Sequence, residues 1–198
     1  MGLEFSYIEG QSPLEDEEKE GLKIKSISTR EELDEFEQQN IEKAIEWTLK
    51  RNFKLEDIIT EKFIRELHKH MFDQVWTWAG QFRKSNKNIG VDKFHISSEL
   101  RQLFDDCKYW IENKTFSDDE ISIRFKHRLV KIHPFPNGNG RHSRLMADIL
   151  IEKIFGKQIF SWGNKNLCKQ SDNRKNYIKA IIEADNGNYK PLLKFARL

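Results

Sequence analysis

HPFPNGNGRHSR, residues 133–144, places a histidine, a glycine-rich turn and two arginines within a short segment. Glycine reaches backbone conformations closed to other residues, so Gly138 and Gly140 allow successive N–H groups to turn inward around an anion. The residues after Ser143 have the pattern of a helix, and the free N–H groups at a helix N-terminus attract phosphate. The segment therefore predicts a phosphate-binding turn, with His133 beside it as a proton acceptor.

Two arginines follow the turn, three residues apart. On the first turn of a helix Arg141 and Arg144 would share a face and could bind a polyphosphate with their forked donors. The alternative is an ordinary helix–loop–helix corner with glycine caps and surface arginines. That alternative explains the glycines, but it does not explain His133, Phe135 and Asn139 at these intervals, so we favour the phosphate site.

The segment resembles the signature of the Fic (Fido) family, His-x-Phe-x-Asp/Glu-Gly-Asn-Gly-Arg-x-x-Arg. The matching residues are His133, Phe135, Gly138, Asn139, Gly140, Arg141 and Arg144. Asn137 departs from the signature, which usually has an acid there. The form PNGNGRH also resembles a bacterial Fic subgroup called mobile mystery protein B. Trp78-Ala79-Gly80 with Arg83, and Tyr177 to Ile181, are similar to other family segments, so the resemblance covers residues 30–195.

The resemblance implies a reaction and a role for each motif residue. Fic enzymes typically transfer AMP from ATP to a Ser, Thr or Tyr hydroxyl of a target protein. It implies His133 as the base, Phe135 as a structural anchor, and phosphate ligands at Gly138, Asn139, Gly140, Arg141 and Arg144. It also implies Mg²⁺ with ATP as substrate. Asn137 would stand at the metal position, where a neutral amide lacks the charge that favours the cation.

Other functions stay open on the same residues. A second enzymatic interpretation keeps the fold and changes the chemistry to removal of AMP or transfer of another phosphate-containing group. A third is a catalytically weak protein-binding or toxin module, and Asn137 is the feature that keeps it open.

The resemblance also implies a β-hairpin flap before the motif helices, and the turn-rich stretch from Ser85 to Ile96 contains short β-prone patches. A target strand could pair along it, and the residues concerned are Ile89, Gly90, Val91, Phe94, His95 and Ile96. A plain surface hairpin is the alternative.

Many Fic proteins are inhibited by a glutamate that pairs with the second motif arginine. Here the candidates are Glu37 and Glu32, and Glu37 is preferred because it lies deeper in the first long predicted helix. A solvated acidic face is the alternative for each glutamate.

The composition narrows the class of protein. The chain has 198 residues, of which 37% are hydrophobic and 33% charged, and its net charge is +2. These values predict a soluble globular protein with no nucleic-acid partner. No apolar run is long enough to span a bilayer, no secretory signal is visible, and Cys107 and Cys168 have no metal spacing. We therefore expect a cytoplasmic protein whose partners are a target protein docked on the flap and either an inhibitory partner or a second copy of the chain.

Hydrophobic periodicity predicts a mainly α-helical single domain of the Fic type with the small β-hairpin flap. The predicted organisation is an extended N-terminal arm at 1–28, an N-terminal helix at 29–51 with an inhibitory role, and a Fic core at 52–198. Thr29 and Ser117 begin two capping boxes. The predicted helices cover residues 29–49, 55–70, 100–110, 117–132, 143–155 and 176–184.

Overall fold

A computed structural model describes residues 13–164 and 172–198, and this part of the chain is mainly α-helical. The α-helices are α1 Asp16–Glu20, α2 Arg30–Leu49, α3 Leu55–Ile58, α4 Glu61–Phe72, α5 Ile96–Glu112, α6 Asp118–Ile132, α7 Asn139–Ile149, α8 Asp172–Asp185 and α9 Lys190–Arg197. One π-helical turn, Leu150–Ile154, extends α7, and 3-10 turns lie at Lys93–His95 and Trp162–Asn164. The mainly α prediction is confirmed.

The predicted β-hairpin is wrong for the described residues, where the stretch from 85 to 95 is irregular and contains no strand. Its polar groups bond to side chains instead of to a partner strand. Arg83 donates to the Ser85 carbonyl at 2.8 Å and to the Val91 carbonyl, while Asn86 donates to the Asp92 carboxylate at 2.8 Å. Because these bonds satisfy the backbone locally, no ladder forms. We call residues 85–95 the flap segment.

Capping explains where the helices before the site begin. Thr29 and Glu32 make the predicted capping box at the start of α2, and Ser117 accepts from the Glu120 N–H at the start of α6. The single helix predicted from 55 to 70 is two helices, because Thr60 leaves helical geometry and its side chain caps α4 by accepting from the Phe63 N–H. Short polar side chains that bond to nearby backbone favour such breaks.

Two hydrophobic clusters form the interior. The larger one lies among α2, α4, α5, α6 and the C-terminal half of α7, and includes Leu67, Phe72 and Phe125. The smaller one joins the outer sides of α6 and α7 to α8 and α9 through Ile123, Ala147 and Phe195 among others. The loop between α6 and α7 lies where the packed elements meet, so the core holds both of its ends.

The described part of the predicted N-terminal arm packs on the core. Leu14, Leu22 and Ile27 are buried, and α1 lies between them. Residues 1–12 of that arm and Cys168 lie outside the described residues, whereas Cys107 is buried and its thiol pKa is raised by burial to about 12. Within the described ranges, no helix is both long and apolar enough to cross a bilayer.

Candidate active site

The loop between α6 and α7 is shaped by two left-handed residues. His133 ends α6 with φ 55° and ψ 59°, and Gly138 precedes α7 with φ 77°. The first intrahelical backbone bond of α7 runs from the His142 N–H to the Gly138 carbonyl at 2.9 Å. The N–H groups of Asn139, Gly140 and Arg141 precede that bond, so they point out of the helix start where an anion can bind.

Asn139 closes this loop on itself. Its amide oxygen accepts from the Phe135 N–H at 3.0 Å, and its amide nitrogen donates to the Phe135 carbonyl at 2.8 Å. The Phe135 ring is fully buried and stacks on His68, with ring centroids 3.7 Å apart. The Asn139 side chain therefore shapes the loop, and the anion donors that remain at this point are backbone N–H groups.

His68 is part of this arrangement and was missed by sequence reasoning. Its Nδ1 accepts from the Gly80 N–H at 3.0 Å, and its Nε2 lies 3.1 Å from the Asn137 carbonyl, to which it donates. Burial, then the neighbouring His142, holds the imidazole pKa well below its usual range, so His68 is neutral. It therefore connects α4 to the motif loop. Its place in the apolar stripe of α4, three residues before Met71, is the only sequence signal.

His133 lies at the junction of α6, the loop and the flap segment. It is 6% exposed, and a Cβ on Gly90 would lie 2.7 Å from the His133 Cβ, so the flap segment covers it. Burial, and secondarily the charge of Arg83, lowers the His133 pKa to about 4. A neutral imidazole at pH 7 is the form that can accept a proton, although a low pKa weakens it as a base.

Arg83 fastens the flap segment to the loop and is a second residue that sequence reasoning left out of the site. It is 3% exposed, its Nε donates to the His133 carbonyl at 2.7 Å, and its backbone N–H donates to the Pro134 carbonyl at 2.9 Å. The same guanidinium bonds to the carbonyls of Ser85 and Val91. One fork of donors thus fixes both the backbone that carries His133 and the segment that covers it.

The predicted flap residues divide into two groups. Ile89 and Phe94 are exposed, at 43% and 83%, and Val91 donates its N–H to the Ile132 carbonyl at 3.3 Å. Gly90 has φ 102°, and His95 is exposed. Ile96 is only 2% exposed because it begins α5 and packs in the core, so its inclusion in the docking surface is wrong.

Glu37 of α2 reaches the first motif arginine. Its carboxylate lies 2.7 Å from Arg141 Nη1 and accepts from Trp76 Nε1 at 2.6 Å, and Glu37 is 2% exposed. Arg141 also stacks over Phe72, with 4.9 Å from its Cζ to the ring centroid. The Glu32 carboxylate instead accepts from the N–H groups of Ser28 and Thr29, so it caps its own helix.

Arg144 turns to the other side of α7. Its Cζ lies 5.6 Å from the Tyr177 ring centroid, and a Cβ on Gly140 would lie 3.8 Å from its Nη1. The two motif arginines therefore contact different helices, Arg141 meeting α2 and α4 while Arg144 meets α8. The spacing of the two arginines predicted that their side chains would share a face. They do not, because each guanidinium contacts a different buried partner.

Asn137 offers a poor fit to a resident metal ion. Its Oδ1 accepts from the Gly138 N–H at 2.6 Å, and a neutral amide is the only oxygen donor that its side chain provides. Among the residues described, no group of three or more His, Cys, Asp or Glu side chains could hold a metal. Mg²⁺ is usually bound through one or two carboxylates together with substrate phosphates, so this position alone does not form such a site.

Known proteins are similar to this chain in sequence and in fold. Residues 58–151 match the model of the Fic/DOC family. A protein adenylyltransferase Fic from Aedes aegypti is 28% identical over 143 residues, which cover 70% of this chain. The match covers 27% of that relative, so this chain spans only about a quarter of the relative's length.

Solved structures share the fold at lower identity. The N-terminal Fic domain of a VirB-translocated Bep effector protein from Bartonella quintana has a TM-score of 0.69 at 18% identity and covers 87% of this chain and 84% of that one. BepC from Bartonella tribocorum, with bound AMPPNP, has a TM-score of 0.68 at 17% identity and covers 91% and 95%. The motif, the segment that matches the family model and the shared fold together make residues 58–151 of this chain similar to the Fic domains of the Fic/DOC family.

Proposed function

We propose that the chain is a protein adenylyltransferase, which moves AMP from ATP to a Ser, Thr or Tyr hydroxyl of a target protein. The observation that carries the proposal is the position of His133, which is neutral at pH 7, at the end of α6 and one short loop before the N-terminus of α7, whose N–H groups face outward. The name of the Aedes aegypti relative supports the activity, and the AMPPNP bound to BepC supports ATP as the donor.

In the proposed step, the target hydroxyl gives its proton to the His133 imidazole and its oxygen forms a bond to the α-phosphorus of ATP. The bond from that phosphorus to the oxygen that bridges the α- and β-phosphates breaks. Pyrophosphate leaves, and AMP stays on the target oxygen. The N–H groups at Gly140 and Arg141 and the Arg144 guanidinium would stabilise the phosphate charge. Because the buried environment of His133 disfavours the imidazolium, that cation then releases its proton to solvent.

Magnesium enters the proposal only as part of the ATP substrate. Its ligands would come from the triphosphate and water, with the Asn137 amide oxygen as the one protein donor that the family position offers. The other outcomes that the sequence left open, removal of AMP and transfer of a different phosphate-containing group, use the same His133 and the same loop.

Target docking belongs to the flap segment in this proposal. Ile89 and Phe94 present exposed apolar side chains beside Gly90, which touches His133. A target segment lying along Ile89–Val91 would bring a hydroxyl towards the imidazole. His95 completes the exposed surface, and Ile96 anchors α5 beneath it.

Regulation by α2 is the last part of the proposal. An Arg141 guanidinium paired with the Glu37 carboxylate is unavailable to a phosphate, so the pair would inhibit nucleotide binding or misplace the nucleotide. The family resemblance predicts an inhibitory glutamate paired with the second motif arginine, Arg144. In this chain Glu37 pairs with the first motif arginine, Arg141.

Intact mass spectrometry of the chain with candidate acceptor proteins, ATP and Mg²⁺ tests the function. We expect a mass gain of one AMP on an acceptor or on the chain itself, and none with His133→Asn, a substitution that tolerates the left-handed backbone. A mass gain that His133→Asn leaves unchanged would show that His133 is not the base. Loss of AMP from a pre-modified acceptor would favour the reverse reaction. If the wild-type chain and its Glu37→Gln variant both leave every acceptor unmodified while they still bind an acceptor protein, the protein-binding module becomes the better account.

A further inference from the structure

A cluster of three titratable side chains lies beside the motif, and the mechanism above uses only one of them. Lys126 of α6 is fully buried, with its Nζ 4.6 Å from the ring centroid of Tyr177 of α8. Arg144 of α7 approaches the same ring, with its Cζ 5.6 Å from the centroid. Tyr177 is 8% exposed. Three helices therefore meet at one phenol flanked by two cations.

The Tyr177 ring lies within cation–π range of both cations. Burial raises the phenol pKa, but the neighbouring charges of Lys126 and Arg144 leave that pKa below its ordinary value. Burial lowers the Lys126 pKa, which Tyr177 partly restores. The electron-rich ring therefore attracts two like charges that would otherwise repel each other.

The position of Arg144 follows from these contacts. Its Nη1 lies 3.8 Å from the place of a Cβ on Gly140, so the guanidinium lies between the first turn of α7 and the Tyr177 ring. A free arginine side chain has many rotamers, and it loses their entropy when it is fixed on a ligand. A guanidinium already held at the helix N-terminus loses less of that entropy when it binds an anion.

We propose that Tyr177 and Lys126 are positioning residues, which hold Arg144 at the N-terminus of α7 for the distal phosphates of the nucleotide. The proposal rests on the proposed function. A buried ammonium is costly, and an apolar side chain of similar size would fill the same space at lower cost. The contact of this polar cluster with Arg144 therefore gives a functional reason for burying a charge at this position.

The test compares nucleotides that differ only in their distal phosphates. Calorimetric titration of the full chain with ATP, ADP and AMP, in excess Mg²⁺, measures each affinity. Tyr177→Leu keeps a buried apolar side chain and removes the ring from both cations. We expect ATP and ADP affinity to fall by roughly tenfold, the size of a lost buried cation–π contact, while AMP affinity is unchanged.

Two comparisons separate positioning from general stability. In an Arg144→Ala background, Tyr177→Leu should have no further effect on ATP affinity, because the residue that it positions is gone. Tyr189→Leu is the matched control: Arg124 stacks on its ring, with its Cζ 4.0 Å from the centroid, yet Tyr189 lies against α6 away from Arg144. Lys126→Met should give a smaller loss, again confined to ATP and ADP.

Each other outcome overturns the inference. An equal loss for ATP and AMP, or an effect that persists without Arg144, would mean that Tyr177 supports the fold and not the arginine. Wild-type ATP affinity in Tyr177→Leu, with weakened affinity in Arg144→Ala, would refute the positioning role and leave the proposed function standing. Absence of adenine-nucleotide binding by both the wild-type chain and Glu37→Gln would refute the proposed function, and this inference with it.

Discussion

Glu37 and Arg141 form a buried ion pair of 2.7 Å that joins α2 to the first turn of α7. The same carboxylate accepts from Trp76 Nε1, so both of its oxygens are engaged. A buried carboxylate that loses its cation would be costly, and the pair therefore opposes any ligand that competes for Arg141. In the proposed function, this contact is the one through which α2 would restrain the site.

Glu37→Gln should release that restraint. The amide oxygen can still accept from Trp76, but the charge that holds Arg141 is removed, so we expect self-modification in ATP and nucleotide affinity to rise by about tenfold or more. Glu32→Gln is the matched control, because Glu32 caps α2 and does not reach the site. Reduced nucleotide affinity in Glu37→Gln, with Glu32→Gln unchanged, would show that the pair supports the site instead of inhibiting it.

Asn137→Asp should strengthen the use of Mg²⁺–ATP. A carboxylate supplies the hard anionic ligand that Mg²⁺ prefers, and it can still accept from the Gly138 N–H. We expect a lower Mg²⁺ requirement for ATP binding, measured by titrating the metal at fixed ATP. Asn52→Asp, at an exposed position, makes the same chemical change elsewhere. If both variants keep the wild-type metal dependence, Asn137 does not stand at a metal position.

Gly138→Ala should disrupt the loop through a clash as well as through backbone strain. A Cβ there would lie 2.6 Å from two ring carbons of Phe72, and φ is 77°. Gly187 has φ 85° with nothing near its Cβ position, so Gly187→Ala isolates the backbone cost of roughly 1 kcal/mol. We expect a clearly larger drop in thermal midpoint for Gly138→Ala. Equal drops would mean that Phe72 moves aside without cost.

Arg83→Met should raise the pKa of His133. The Arg83 charge disfavours the imidazolium, and loss of its bonds to the flap segment also reduces burial, so both effects act in the same direction. Titration of the His133 ring by NMR measures the shift from about 4. Lys84→Met, at the exposed position directly after Arg83, should leave the pKa unchanged. An unchanged His133 pKa in Arg83→Met would show that Arg83 is not among its causes and that burial dominates.

Asp148 should make the protein less stable as pH rises from about 4 to 7. Burial raises the carboxyl pKa from 3.8 to about 7, although Trp162 and Phe160 donate to it. Because the folded state binds this proton more tightly than the unfolded state, the contribution is fully present below pH 3.8 and is lost as pH approaches 7. It amounts to a few kcal/mol, on the order of 1.4 kcal/mol per pKa unit.

Asp148→Asn removes this contribution and keeps an acceptor for Trp162. Urea unfolding between pH 4 and 7 should show the variant gaining stability relative to wild type as pH rises, and the exposed Asp105→Asn should show no such trend. The comparison with wild type is needed because the buried His127, His133 and His142, whose pKa values burial lowers, act in the opposite direction. A constant difference across this range would mean that Asp148 is ionised in the fold.

The local sequence determined the helices and the motif loop, because their signals lie within a few residues of each other. Thr29 with Glu32, and Ser117 with Glu120, cap α2 and α6 as predicted, and the glycines of the motif produce the turn before α7. Residues 29–49 and 117–132 were predicted on the same basis. The β-hairpin failed because β-prone residues form strands only beside a partner, and Arg83 and Asn86 satisfy the flap segment first.

Only the tertiary structure decided the partners of the charged groups. Spacing alone allowed Arg141 and Arg144 to share one ligand, and it left Glu37 and Glu32 as alternatives. Packing of α2 on α4 brings Glu37 to Arg141, and packing of α8 on α6 and α7 brings Tyr177 to Arg144 and Lys126. The pairing of a buried charge depends on which helices touch. Periodicity describes only residues that are close in sequence, so it cannot supply that information. Glu37 and Arg141 lie more than a hundred positions apart and become neighbours only when the core has formed.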